Sequence, residues 1–135
     1  MTDAARNPSA AESQQTLDNE HLVQLGLADA VVEAVRHAEP AASVTQLMHQ
    51  FVDYTELHFM SEQLLMRRHA YPAYAEHAAD HAAMIEQLHR LRDEFDHADG
   101  ALTAERALQL KGQLMGHIRN RDAALHAFFN DLQHA

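Results

Sequence analysis

Five of the twelve histidines in this 135-residue chain occupy places where a helix would carry leucine. One stripe reads Leu47, Phe51, Tyr54, His58, Glu62, Leu65; a second reads His77, His81, Met84, Leu88; a third reads Ala107, Leu110, Leu114, His117. His21 opens a fourth. Spacings of three and four put each set on one helical face, directed at a core. Ionisable side chains gathered there without compensation are costly, which argues for a bound charge among them. Imidazole plus carboxylate, with no cysteine in the chain, suits iron, copper, nickel or zinc; magnesium and calcium prefer oxygen.

Four helical segments must position these groups. Residues 1–16 are small and polar without period and read as a flexible N-terminal arm; residues 17–135 read as one bundle domain. The first helix is expected from about Leu17 to His37, ending before Pro40, since the residue ahead of a proline avoids helical geometry. The second runs from about Ser43 to Arg68, and the third follows Tyr71-Pro72. The fourth runs from a Thr103 cap to about Leu132. Long helices with short connections make an all-α, up-down-up-down four-helix bundle.

Folding the chain at its turns tests whether the histidines meet. Reflection about position 40 sends His21 to 59, beside His58. Reflection about 70 sends 58 and 62 to 82 and 78, beside His81 and His77. Reflection about 99 sends 77 and 81 to 121 and 117, where Asp122 and His117 lie. At about 1.5 Å rise per residue, an error of one position is small. His21, His58, Glu62, His77, His81, His117 and Asp122 therefore converge on one level. His37, His49, His69, His89, His97, His126 and His134 do not, and read as solvated or helix-end residues.

Seven ligands exceed the needs of one tetrahedral zinc. Two ions bridged by Glu62 and Asp122 accommodate them all. A ferritin-like site is rejected: it takes four Glu with two Glu-x-x-His motifs, whereas here histidine leads carboxylate five to two. His117 and Asp122, five apart, differ by about 140° on an ideal helix. A one-residue slip such as a π-bulge between them would turn both inward.

The remaining composition narrows the function. Ten Lys and Arg against twenty Asp and Glu give a net charge of −10, which repels nucleic acid. No window is apolar enough to span a membrane, and the first residues lack a signal-peptide layout, so a cytoplasmic protein is expected.

The sequence resembles the hemerythrin family, in particular the single-domain bacteriohemerythrins. The resemblance lies in Asp18-Asn19-Glu20-His21, His58-Phe59-Met60-Ser61-Glu62, His77 with His81, and His117-Ile118 followed by Asp122. Asp53-Tyr54-Thr55 and the Tyr71-Pro72 turn add to it, and it spans roughly residues 17 to 132. Members of the family are themselves up-down-up-down bundles. The resemblance implies two non-haem iron ions joined by an oxo or hydroxo group and by Glu62 and Asp122. His77, His81 and His117 would hold a saturated iron; His21 and His58 would hold the one with an open position, where O2 binds. It also implies a dry pocket, for which Leu114 and Ile118 are the expected lining.

The expected function is reversible O2 binding: a carrier, store or delivery protein, not an enzyme. The alternatives are an oxygen sensor acting through a partner chain, and a di-iron peroxidase or nitric-oxide-processing enzyme. Expected partners are O2 itself and an oxygen-using enzyme or signalling chain, with no nucleic acid and no membrane; a monomer is expected.

Overall fold

A computed structural model describes residues 8–97 and 104–134. Helix α1 spans Ala10–Arg36, α2 Ala41–Arg68, α3 Tyr74–His97 and α4 Ala104–His117. A π-helical turn, Ile118–Asp122, leads into α5, Ala123–Gln133. Helix α1 packs against α2, α4 and α5, and α2 against α3, in antiparallel order. The described residues form the expected all-α four-helix bundle. None of their helices is long and apolar enough to cross a membrane.

The first helix corrects the reading of the arm. It starts at Ala10, so residues 10–16 are helical and not an arm; residues 1–7 lie outside the described ones. Ser9 and Glu12 form a capping box, each side chain bonding the other's backbone N–H at 3.1 Å. That pairing satisfies two otherwise orphaned donors and fixes the helix start. The polar stretch nevertheless packs: Ser13 is buried, and its hydroxyl is hydrogen-bonded to His69 Nε2 at 2.9 Å. Apolar periodicity cannot register a helix whose inward residue is a serine. The Thr103 cap expected for the fourth helix lies outside the described residues.

Two turns share one construction. Ala38 and Ala70 have φ of 51° and 52°. The following Glu39 and Tyr71 N–H groups return to Ala34 and Met66 carbonyls at 3.0 and 2.9 Å. This six-to-one closure satisfies helix-end carbonyls, and a proline two residues after each alanine prevents continuation. Alanine in the left-handed region costs roughly 1–2 kcal/mol. The turns place α2 against both neighbours in the register on which the site depends.

The core has two apolar parts. Val31, Val32, Met48, Phe51, Val52, Leu88, Phe95 and Leu110 belong to the one between α1, α2, α3 and α4. Leu17, Leu65, Met66, Leu125 and Phe129 form the other. Buried polar side chains, His58, Glu62, His77, His81, His117 and Asp122, lie on the same four-helix interior. The slip expected between His117 and Asp122 is the π turn: its extra residue lets the helix present both inward.

Candidate metal centre

Each singled-out ligand sits where its helix face meets the bundle interior. The structure brings all seven together as two overlapping groups. Glu62, His77, His81, His117 and Asp122 form one; His21, His58, Glu62 and Asp122 form the other. Donor atoms within each group lie within 4.8 Å of one another.

The two carboxylates divide their oxygens between the groups. Glu62 Oε1 lies 2.6 Å from His77 Nε2 and 3.0 Å from His81 Nε2. Its Oε2 lies 3.5 Å from His58 Nε2 and 3.6 Å from His21 Nε2. Asp122 Oδ1 is 3.0 Å from His77 Nε2 and 3.1 Å from His117 Nε2, while Oδ2 is 3.0 Å from His21 Nε2. Together, Glu62 Oε1 and Asp122 Oδ1 thus face three imidazoles, His77, His81 and His117, while Glu62 Oε2 and Asp122 Oδ2 face two, His21 and His58. This is the disposition of carboxylates that bridge a pair of cations.

These approaches are close but not aligned as hydrogen bonds. Both oxygens of Glu62 and of Asp122, and Nε2 of His21, His58 and His77, have no hydrogen-bond partner. Buried polar atoms are otherwise paired almost without exception. Lone pairs converging on shared space, on donors of this chemistry, fit metal cations.

The outward ring nitrogens of His58 and His81 are anchored, whereas His77 Nδ1 has no hydrogen-bond partner. His58 Nδ1–H donates to Glu20 Oε1 at 2.8 Å, and Ser61 Oγ–H holds the other Glu20 oxygen at 3.0 Å. His81 Nδ1–H donates to Gln63 Oε1 at 2.9 Å, with the ring stacked on Phe59 at 3.9 Å between centroids. Such contacts fix the tautomer that leaves Nε2 free to coordinate. Glu20, Gln63 and Phe59 had no role assigned from sequence. Glu20 and Phe59 stood in the motifs that carry the family resemblance, and Gln63 only beside Glu62.

Charge is balanced within the cluster. Burial would raise Glu62, but His21, His77 and His81 outweigh it and bring the carboxyl down to about 2. Asp122 is held far below the ordinary carboxylate range, as His117, His21 and His77 overcome its burial. Burial would lower His21 and His77, yet the two acids raise both to about 9. His81 is lowered, because burial and the neighbouring His77 and His117 prevail over Glu62. Both acids are therefore anionic at neutral pH.

Residues excluded by the reflection test stay out of the cluster. His49 pairs with Asp96, His89 with Glu56 and His37 with Glu33, none of them in the core. Leu114 is buried one turn before His117, and Ile118 packs partly buried on the same core.

Comparison with known proteins agrees with this arrangement. The family described as "Hemerythrin HHE cation binding domain" matches residues 13–129. The chain is similar to the bacteriohemerythrin of Pseudomonas aeruginosa (strain LESB58), 29% identical over 115 residues, covering 81% of this chain and 70% of that one. It is also similar to the bacteriohemerythrin of Stenotrophomonas maltophilia (strain R551-3), 31% identical over 100 residues, covering 70% of this chain and 65% of the relative. No solved structure matches.

Proposed function

Because this chain belongs to the hemerythrin family, we propose that it binds O2 reversibly at a non-haem di-iron centre, as a carrier, store or delivery protein and not as an enzyme. The observation that carries this reading is the division of the carboxylate oxygens between three imidazoles and two. His77, His81 and His117 would hold one iron, His21 and His58 the other, with Glu62 and Asp122 across both. With a solvent-derived oxo or hydroxo bridge, the His21 and His58 side would be one protein donor short of the other and would keep a position open. Iron held by these residues would supply the pair of electrons that O2 takes up and gives back on release.

The protein's part is to hold, orient and exclude. Glu20 and Gln63 keep the rings of His58 and His81 turned toward the centre. Leu114 and Ile118 would keep water and acids from the open position, which favours return of O2 over turnover.

The test is an anaerobic titration of the reduced, iron-loaded protein with O2, followed by removal of O2. A visible band that forms, fades under vacuum and returns is expected. Changing Leu114 or Ile118 to a polar residue should speed oxidation to the diferric state without loss of iron. Direct oxidation by air with catalytic consumption of peroxide would move the assignment to an enzyme.

A further inference from the structure

The side chains one turn from the ligands form a layer over them. Gln24 follows His21 by three residues, Thr55 precedes His58 by three, Met84 follows His81 by three, and Leu114 precedes His117 by three. Because neighbouring helices are antiparallel, all four steps run the same way along the bundle. Glu62 and Asp122 lie beyond His58 and His117 in the opposite direction, so the carboxylates approach from the other side. Thr55, Met84 and Leu114 line one small, partly open cavity with Phe51 and Leu88, and Gln24 lies behind Thr55, outside that lining.

Half of this layer is polar. Gln24 and Thr55 are 1% and 0% exposed. Gln24 Nε2–H donates to Thr55 Oγ at 3.2 Å, while Gln24 Oε1 has no hydrogen-bond partner. A helix core at this position would ordinarily take a leucine; an amide left half-satisfied there is expensive. The Thr55 hydroxyl both donates and accepts, so it holds either end of the amide. Half a turn of the terminal group therefore exchanges a free carbonyl for a free NH2.

We propose that Gln24, steadied by Thr55, is a hydrogen-bonding residue over the open coordination position, and that it favours anionic ligands there. This rests on the reading that His21 and His58 hold the ion with the open position. Donation from a buried amide to an anion is among the stronger hydrogen bonds, and a site built around such a donor discriminates against ligands unable to use it. Gln24 would be a positioning group toward the ligand, with no bond to the metal.

The experiment is a visible-absorption titration of the diferric protein with azide, comparing the parent with Gln24→Met, Gln24→Glu and Thr55→Val. Gln24→Met keeps the volume and removes the hydrogen bond; azide affinity should fall roughly ten- to a hundredfold at unchanged iron content. Gln24→Glu keeps size and polarity but repels an anion, and should weaken azide at least as much. Thr55→Val should have a smaller effect in the same direction. The melting temperature of each metal-free variant is the control for a purely structural role. Unchanged azide affinity in Gln24→Met and Gln24→Glu, with iron content intact, overturns the proposal. Failure of the parent protein to hold two irons would instead defeat the reading beneath it.

Discussion

The three-histidine and two-histidine sides of the centre are held in different ways. His77 and His81 come from one helix, four residues apart, and are 1% and 2% exposed. Their relative placement follows from helix geometry alone. His117 joins them from the last residue of α4, where the π turn begins. On the other side, His21 and His58 come from different helices, and the His21 side chain is 15% exposed. Their meeting depends on how α1 packs against α2. The outer partners differ too, a neutral Gln63 amide behind His81 and an anionic Glu20 behind His58. A carboxylate behind an imidazole raises its basicity as a ligand. The side with fewer nitrogens is thus the one given the more electron-rich donor. On one side two of the three nitrogens are set within a single helix; on the other both depend on tertiary packing.

Removal of either helical ligand should break the comparison most severely. His77→Ala or His81→Ala should abolish iron binding, from about two ions per chain to none by elemental analysis, since His77 lies against both Glu62 and Asp122 and His81 against Glu62. His89→Ala, on the surface beside Glu56, should retain both. Equal losses in all three would mean the wrong histidines were selected.

A smaller effect is expected from the two-histidine side. His21→Ala should leave the closed site able to hold one iron, about half the parent content, and should abolish the O2-dependent band. Loss of both ions would show that the two sides cannot be loaded separately.

The smallest effect concerns the anchor of α1 itself. Burial lowers the His69 imidazole below its ordinary value of 6.5. The unfolded chain then binds the proton more tightly, so this contribution is full above pH 6.5 and declines as pH falls through and below it. Urea midpoints at pH 7.5 and 5.5 should show a shallow fall, and His69→Asn should flatten it. An unchanged slope in that variant would assign the pH dependence to other groups.

Much of this was legible in the chain. Periodicity with Pro40 and Pro72 placed the helices, and reflection about the turns brought seven distant side chains to one level. The five-residue step from His117 to Asp122 announced the π turn, because an α-helix cannot aim both residues inward. The start of α1 was missed for a physical reason: its inward residue is Ser13, whose burial depends on His69 from another helix. The Ser9 and Glu12 capping box was the available sign.

The sequence by itself determined which residue types meet, because side-chain direction on a helix and antiparallel register are both fixed by residue count. It could not determine which oxygen of Glu62 or Asp122 faces which imidazole, since that depends on rotamers chosen by packing across four helices. Nor could it distinguish a buried Gln24 from a solvated one. The amide sits one turn from a ligand either way, and only the seating of α1 against α2 removes it from water and bonds it to Thr55.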